Sequence, residues 1–225
     1  MAFNLHGAPM SPFVRKVMYL LASSQTPYKL NNVIPGAIPE DFIKISPLKR
    51  IPVLQEEDWF QADSSIICNY LIETLNHKNL NPLIPSEPRL RAKMRWLEKF
   101  ADYELAPCIT FTVFRHRILK QALGKAHDED KIQAALTQSM PKLFNYLSAE
   151  LGDQHYFVDD CFSLADIAIT SQLVNLMHAN EAINEQVWPN LHNYFQRMLG
   201  QPIWHQLVSR EQITLAKIHQ LRHKK

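Results

Sequence analysis

The periodicity of apolar residues changes once along this 225-residue chain, near residue 77. Before that point, short apolar runs that suit strands alternate with amphipathic stretches of helical period, in the order β-α-β-α-β-β-α. Residues 77–88 carry Asn, Ser and three prolines, and beyond them only helical periodicity recurs. This pattern predicts an α/β plus all-α architecture, with an α/β domain at 1–76, a linker at 77–88 and an all-helical domain at 89–225.

Composition excludes several classes of partner. The net charge is only +2 and apolar residues make up 46% of the chain, so neither nucleic acid nor a membrane surface is expected. No run approaches the roughly 20 apolar residues of a membrane span, and we expect a cytoplasmic protein. Cys68, Cys108 and Cys161 are too widely spaced for a disulfide framework or a metal cluster, and the ten histidines lack metal-ligand spacing. No metal is therefore expected.

The first predicted helix begins at Ser11-Pro12. Proline suits the first helical position, which makes Ser11 the N-cap, and Val14, Val17, Met18 and Leu21 form a buried stripe. The first turn contains no Asp or Glu, so the partial positive charge of the helix end stays open to an anion. Ser11 is either a cap alone or a cap whose hydroxyl also holds a thiolate.

Two further helix starts carry capping residues. Asp63 and Ser64 begin the helix after the fourth predicted strand, where they can cap the helix and also bind a carboxylate ligand. Ser163 and Asp166 form a capping box in front of the most apolar helix of the chain, and we assign both to structure alone. Between these, a long helix predicted over 90–120 contains Pro107, which should free the carbonyl of Tyr103 and bend the helix.

Four segments in the right order resemble motifs of the cytosolic glutathione S-transferase superfamily, in its Ser-type classes. They are Ser11–Val17, Ser46–Leu54, Asp63–Ile67 and Phe162–Ala168. The resemblance covers essentially the whole chain and implies a thioredoxin-like first domain followed by the helical domain of that superfamily. It also implies glutathione as co-substrate. The chain departs from the family's pattern in having Asp63 in place of Glu, and Lys49-Arg50 in place of Gly-Lys.

The resemblance implies a role for each motif residue. Ser11 would donate a hydrogen bond to the glutathione sulfur, and a pKa lowered by about two units would make the thiolate dominant at neutral pH. Pro52 would follow a cis bond and leave the Ile51 backbone free to pair with the cysteinyl part of glutathione; an ordinary trans proline at a strand edge is the alternative. Asp63 would bind the ammonium group and Ser64 the glutamyl carboxylate. Phe13 and Arg50 complete the expected glutathione-binding set.

The electrophile is expected between the Ser11 loop and the bent helix. Its candidate lining residues are Met10, Tyr103, Phe111, Phe114 and Arg115. The resemblance implies a glutathione transferase that attacks small electrophiles or reduces hydroperoxides, and the sequence does not indicate which electrophile. A non-catalytic relative that uses the fold to bind a partner is the alternative, and a cysteine-type thiol transferase is disfavoured because positions 10–13 hold no cysteine.

The long helix carries apolar side chains on more than one face, since three aromatic residues lie off its main apolar stripe: Trp96, Phe100 and Tyr103. A second apolar face needs a cover, which favours a homodimer.

Overall fold

The computed structural model describes residues 3–34 and 38–222, with side chains as far as residue 217. The chain divides into two compact units, Met1–Leu83 and Ile84–Lys225, called here the N-terminal unit and the helical unit. The predicted domain limits at 76 and 89 stay a prediction. Ala2, the predicted first residue of the first strand, lies outside the described residues.

The N-terminal unit is a four-stranded mixed sheet with helices. Its strands are β1 (Phe3–Gly7), β2 (Tyr28–Asn32), β3 (Val53–Glu56) and β4 (Trp59–Ala62), and its helices are α1 (Pro12–Ser23) and α2 (Ser64–Leu75). Short 3₁₀ turns occupy Glu40–Lys44 and Asn81–Leu83. The strand order is β2-β1-β3-β4, in which β1 and β2 are parallel and the other pairs antiparallel. The predicted thioredoxin-like order is confirmed, with a single 3₁₀ turn in place of the weak second helix.

The junction between β1 and α1 is unusually close. A Cβ atom added to Gly7 would lie 2.5 Å from Cγ2 of Val14, closer than two carbon atoms can approach without displacement. Val14 is fully buried and belongs to the apolar stripe predicted for α1. Gly7 therefore lets the first helix pack directly on the end of the strand that precedes it.

The helical unit consists of helices of two kinds. Its α-helices are α3 (Pro88–Phe100), α4 (Glu129–Ala134), α5 (Met140–Leu151), α6 (Leu164–His178), α7 (Pro189–Gly200) and α8 (Pro202–Arg222). Two π-helical stretches, Ala101–Lys120 and Ala135–Ser139, continue α3 and join α4 to α5. In the part of the chain that the structure describes, no helix is both long and apolar enough to cross a bilayer.

The helix type changes on both sides of Pro107. The chain switches from α- to π-helical hydrogen bonding at Ala101 and keeps it to Lys120, so the helix continues past the proline. The Thr112 hydroxyl donates to the carbonyl of Pro107 at 2.8 Å. The bend at Pro107 and the freed carbonyl of Tyr103 stay predictions.

Helix α6 lies at the centre of the helical unit, as predicted, since every residue of it except Met177 is buried. The Asp166 carboxylate in its first turn accepts four hydrogen bonds. Oδ2 accepts from the Ser163 amide (2.8 Å) and hydroxyl (2.9 Å), and Oδ1 accepts from the Phe157 amide (3.2 Å) and the Tyr194 hydroxyl (3.3 Å). The capping box therefore also ties two other segments to the start of α6.

Candidate active site

Sheet register brings the three N-terminal motifs to one edge of the sheet. Val53, the first residue of β3, pairs with His6 near the end of β1 and with Ala62 at the end of β4. Immediately beyond these pairs the chain leads to Ser11 on one side, to Ile51-Pro52 in the middle and to Asp63 on the other. Strand pairing thus places the Ser11 and Asp63 motifs, which are about fifty residues apart in sequence, at the same edge of the sheet.

Ser11 caps α1 and keeps its hydroxyl proton for another partner. The residue has extended backbone angles, and its Oγ accepts from the Val14 amide at 3.5 Å, which is a long bond. A serine hydroxyl that accepts a hydrogen bond still has one O–H to donate. The first turn of α1 contains no acidic residue, as expected from the sequence. Capping and donation to an anion are therefore compatible at Ser11.

The Ile51–Pro52 peptide bond is cis, as the resemblance implied. Pro52 is buried and Ile51 half-buried, and β3 begins at Val53, directly after the proline. The Ser46 hydroxyl fixes the loop in front of this bond, because it donates to the Arg50 carbonyl at 2.8 Å and accepts from the Arg50 amide at 3.0 Å. Ser46 is a positioning residue that the sequence reasoning missed.

Lys49 shows why the family's pattern has glycine at its position. Its φ is 50°, in the left-handed region, and its amide donates to the Ser46 carbonyl at 2.8 Å. Glycine adopts this conformation without steric cost, whereas a residue with a Cβ atom is strained there. Lys49 thus adopts the conformation that glycine adopts most easily. The side chains of Lys49 and Arg50 are both exposed.

Asp63 also has a left-handed backbone, with φ 75° and ψ 119°. Its Oδ1 accepts from the amides of Ser65 (2.9 Å) and Ile66 (3.2 Å), which confirms the predicted cap of α2. Positive φ in a residue other than glycine costs on the order of 1–3 kcal/mol and is concentrated at functional sites. Ser64 is buried directly after it. Their ligand-binding roles stay predictions.

Two cations of α1 were not singled out by the sequence. Arg15 and Lys16 are 0% and 1% exposed. The Arg15 guanidinium donates to the Met10 carbonyl, and the Lys16 ammonium donates to the Ser65 hydroxyl, both at 3.4 Å. The apolar periodicity of α1 gave no signal for this burial, because Arg15 and Lys16 lie between Val14 and Val17 and hence off the apolar stripe.

The residues predicted to line the electrophile pocket differ in exposure. Tyr103 and Phe111 are 65% and 50% exposed, and Arg115 is exposed in the same π-helix. Phe114 is only 2% exposed and belongs to the core of the helical unit. Met10 is half-buried in the N-terminal unit, as is Phe13. A shared role for these residues stays a prediction from the sequence.

Two segments of the chain match protein-family models. Residues 5–79 match the family model of the glutathione S-transferase N-terminal domain, and residues 111–202 match that of the C-terminal domain. The glutathione S-transferase GstB of Escherichia coli is 28% identical over 215 residues, which cover 91% of this chain and 97% of that protein. A stringent starvation protein A homolog of Haemophilus ducreyi is 30% identical over 167 residues, 72% of this chain and 68% of that protein.

A solved structure agrees with the fold. The glutathione S-transferase of Rhodospirillum rubrum superposes with a TM-score of 0.81 at 23% identity, covering 91% of each chain. The two matched domains define a family of glutathione S-transferases, which use glutathione as co-substrate. The enzyme class and the co-substrate that the motifs implied are therefore those of this family. The chain belongs to the cytosolic glutathione S-transferase superfamily.

Proposed function

We propose that the chain binds glutathione at the sheet edge of its N-terminal unit and uses the thiolate to attack small electrophiles or hydroperoxides. The observation that carries the proposal is Ser11, whose hydroxyl lies at a helix N-terminus without acidic residues. We assign the chain to the Ser-type classes, and a cytoplasmic location belongs to the same proposal.

Ser11 acts as a hydrogen-bond donor to sulfur in this mechanism. The glutathione thiol has a usual pKa near 8.5, so most of it is protonated at neutral pH. A hydroxyl donor together with the N-terminus of α1 stabilises the anion, and a shift of about two pKa units corresponds to roughly 2.7 kcal/mol. In conjugation the thiolate sulfur forms the new bond to carbon, and the leaving group departs with its electron pair. The nucleophile thus belongs to the co-substrate, and the protein positions it.

The rest of glutathione is matched by the other two motifs. The Ile51 backbone offers an amide and a carbonyl beside β3, which suits pairing with the cysteinyl segment as an added strand. Ser64 and the N-terminus of α2 suit the glutamyl carboxylate, and the Asp63 carboxylate suits the ammonium group beside it. Positive and negative groups of the ligand each have a complementary partner on the same sheet edge.

The direct test is conjugation. Purified protein with glutathione and an aromatic halide activated by nitro groups is expected to form the thioether and release halide, which mass spectrometry and absorbance both detect. A parallel assay with an organic hydroperoxide separates the two reactions: there, two glutathiones are oxidised to the disulfide while the hydroperoxide becomes alcohol and water. Failure of calorimetry to detect glutathione binding would remove the proposal altogether.

Asp63→Asn is expected to weaken glutathione binding by about 1–3 kcal/mol, because a charge-assisted bond to the ammonium group is lost. Asparagine is as good an N-cap as aspartate and tolerates positive φ, so α2 should keep its start. Calorimetric titration of both proteins measures the difference. Asp58→Asn, at the exposed turn between β3 and β4, is the control for the change in net charge. Equal affinity in the Asp63 variant and in the unchanged protein would exclude Asp63 from the site.

We further expect a homodimer. Each unit exposes large apolar side chains that water disfavours: Trp59 and Ile66 are 42% and 52% exposed in the N-terminal unit, and Trp96 is 57% exposed in the helical unit. Phe100, which the sequence placed with Trp96, is instead buried. Light scattering at micromolar concentration should give twice the 26.1 kDa of one chain. A monomer mass that persists as the concentration rises would exclude the dimer.

The alternative is a protein that binds a partner without catalysis. The similarity to a stringent starvation protein A homolog favours keeping it open. The two functions differ at the thiol site, because a partner-binding protein has no use for a hydroxyl donor at Ser11. A protein that folds and dimerises but neither binds glutathione nor forms the thioether would support this alternative.

A further inference from the structure

One buried hydroxyl holds the loop in front of β3. Ser46 is 1% exposed, and its Oγ donates to the Arg50 carbonyl at 2.8 Å while it accepts from the Arg50 amide at 3.0 Å. A serine hydroxyl has a single proton, so its whole donor capacity is used on this carbonyl. The Ser46 amide in turn donates at 2.9 Å to the carbonyl of Phe42, a core residue. The hydroxyl is therefore held from the core side of the loop.

The Arg50 carbonyl belongs to the same peptide group as the Ile51 amide. This peptide group is trans. In a trans peptide group the C=O and N–H bonds lie in one plane and point in opposite directions. Because the carbonyl points at the Ser46 hydroxyl, the Ile51 N–H points away from it. The Ser46 side chain thus sets the direction of the Ile51 donor.

The Ile51 amide has no internal acceptor. Among the residues that the structure describes, none accepts a hydrogen bond from it. The residue is half-buried, and its side chain packs against the core cluster of Val33, Phe42 and Val53. Backbone donors at partly buried positions normally have a partner. An unpaired donor that is held in a fixed direction is therefore suited to a ligand.

We propose that Ser46 is a positioning residue for the Ile51 N–H, and that through this group the site selects thiols that carry a peptide carbonyl. The inference rests on the function proposed above and deepens it, because it states what the site requires of the thiol co-substrate. The carbonyl of the cysteinyl residue accepts from the fixed Ile51 N–H, as in an added strand. A thiol without this carbonyl gains nothing from Ser46.

The Ser46 hydroxyl also strengthens the Ile51 N–H as a donor. Hydrogen bonds that share a peptide group polarise one another, so a bond to the Arg50 carbonyl makes the N–H of the same group a better donor. Loss of the hydroxyl frees the peptide group to rotate and removes this polarisation. Neither effect acts on the sulfur, which Ser11 and the N-terminus of α1 hold. The loss should therefore appear in binding and not in the chemical step.

The experiment compares Ser46→Ala with Ser24→Ala. Ser24 is a matched control, because it is a buried serine at the end of α1 opposite Ser11 and its hydroxyl donates to the Leu20 carbonyl at 2.9 Å. Conjugation gives kcat and KM, and the ultraviolet absorbance of the thiolate gives the thiol pKa of bound glutathione. We expect Ser46→Ala to raise KM for glutathione about tenfold, with kcat within about twofold and the thiol pKa within about 0.3 units of their original values. Ser24→Ala should leave all three unchanged.

A modified ligand tests the contact from the other side. In one glutathione analogue a carbon–carbon double bond replaces the amide between the cysteinyl and glycyl residues, so the carbonyl is absent. Calorimetry should show that the unchanged protein binds this analogue about tenfold more weakly than glutathione, and that Ser46→Ala binds the two ligands about equally. The two losses are non-additive because they remove the same contact.

Conservative variants separate positioning from folding. Ser46→Thr keeps the hydroxyl and should keep KM, even if its extra methyl group lowers the melting temperature. Ser46→Cys has a weaker donor and should give an intermediate KM. If Ser46→Ala fails to fold, these two variants and the modified ligand still test the inference.

Two results would overturn the inference. The first is a KM for glutathione in Ser46→Ala equal to that of Ser24→Ala; a lower melting temperature with this KM indicates a purely structural role. The second is equal affinity of the unchanged protein for glutathione and for the modified ligand. If the unchanged protein and Ser24→Ala both fail to bind glutathione, the proposed function fails and this inference fails with it; binding by both isolates the inference.

Discussion

Ser11→Ala is expected to lower turnover about 10²-fold and to leave the affinity for glutathione nearly unchanged. The reason is that the Ser11 hydroxyl contributes to the thiolate and not to the rest of the ligand, so its loss appears in the chemical step. The pH at which turnover reaches half its maximum should rise accordingly, because the bound thiol ionises at higher pH. Steady-state kinetics across pH 6 to about 9 measure both effects.

Capping complicates this substitution, since loss of an N-cap side chain costs about 0.5–2 kcal/mol of stability. Ser11→Asp separates the two roles: aspartate caps the helix well but repels a thiolate, so this variant should fold and be almost inactive. Ser23→Ala, in the last residue of the same helix, is the neutral control. Full turnover in Ser11→Ala would show that another group holds the sulfur.

Asp166→Asn is expected to destabilise the protein by about 3–5 kcal/mol at neutral pH. The carboxylate accepts four buried hydrogen bonds, two on each oxygen. Asparagine has one carbonyl oxygen and one NH₂ group in place of the two carboxylate oxygens. The NH₂ group cannot accept hydrogen bonds, so the two donors that face it lose their acceptor. Each buried group left without a partner costs about 1–3 kcal/mol, which is a large part of the 5–15 kcal/mol typical of a folded domain. Urea unfolding followed by circular dichroism gives the difference, and Asp153→Asn at an exposed position is the matched control.

The same carboxyl group makes stability depend on pH. Burial raises the pKa of Asp166 from its usual 3.8 to about 6. The folded protein therefore binds this proton more tightly than the unfolded chain does. The contribution of Asp166 protonation to the free energy of unfolding is complete below about pH 3.8 and declines as pH rises through 6. Asp166→Asn removes this dependence, and the stability difference between the two proteins should narrow as pH is raised from about 4 to 7. A stability difference that is constant over this range would contradict a raised pKa of Asp166 in the folded protein.

Features that depend on near neighbours in the chain were predictable. The cap at Ser11, the cap at Asp63 and the box at Ser163 and Asp166 each require only a short polar side chain before a helix, and all three occur as expected. The element order followed from the change in apolar periodicity. The cis bond at Pro52 came from the resemblance, because the residues alone also allowed a trans proline.

Features that depend on distant packing were not predictable. A sequence pattern assigns a charged residue to solvent, yet Arg15 and Lys16 are buried, and Lys16 contacts Ser65, 49 residues further along the chain. The π-helical hydrogen bonding over Ala101–Lys120 is a second such feature, since the apolar pattern predicted one long helix without indicating its type. The role of Ser46 was missed because its partner, Arg50, comes within reach only when the loop takes its left-handed turn at Lys49.

The pairing of Val53 with both His6 and Ala62 has a consequence for how such a chain can change length during evolution. One residue inserted within β3 would turn every later side chain of that strand to the opposite face and move the cis peptide bond out of line with Ser11 and Asp63. Insertions between β2 and Ser46, or anywhere after α2, leave the three segments in register. Length variation among descendants of this protein should therefore accumulate outside the strands and outside the loop that runs from Ser46 to Pro52.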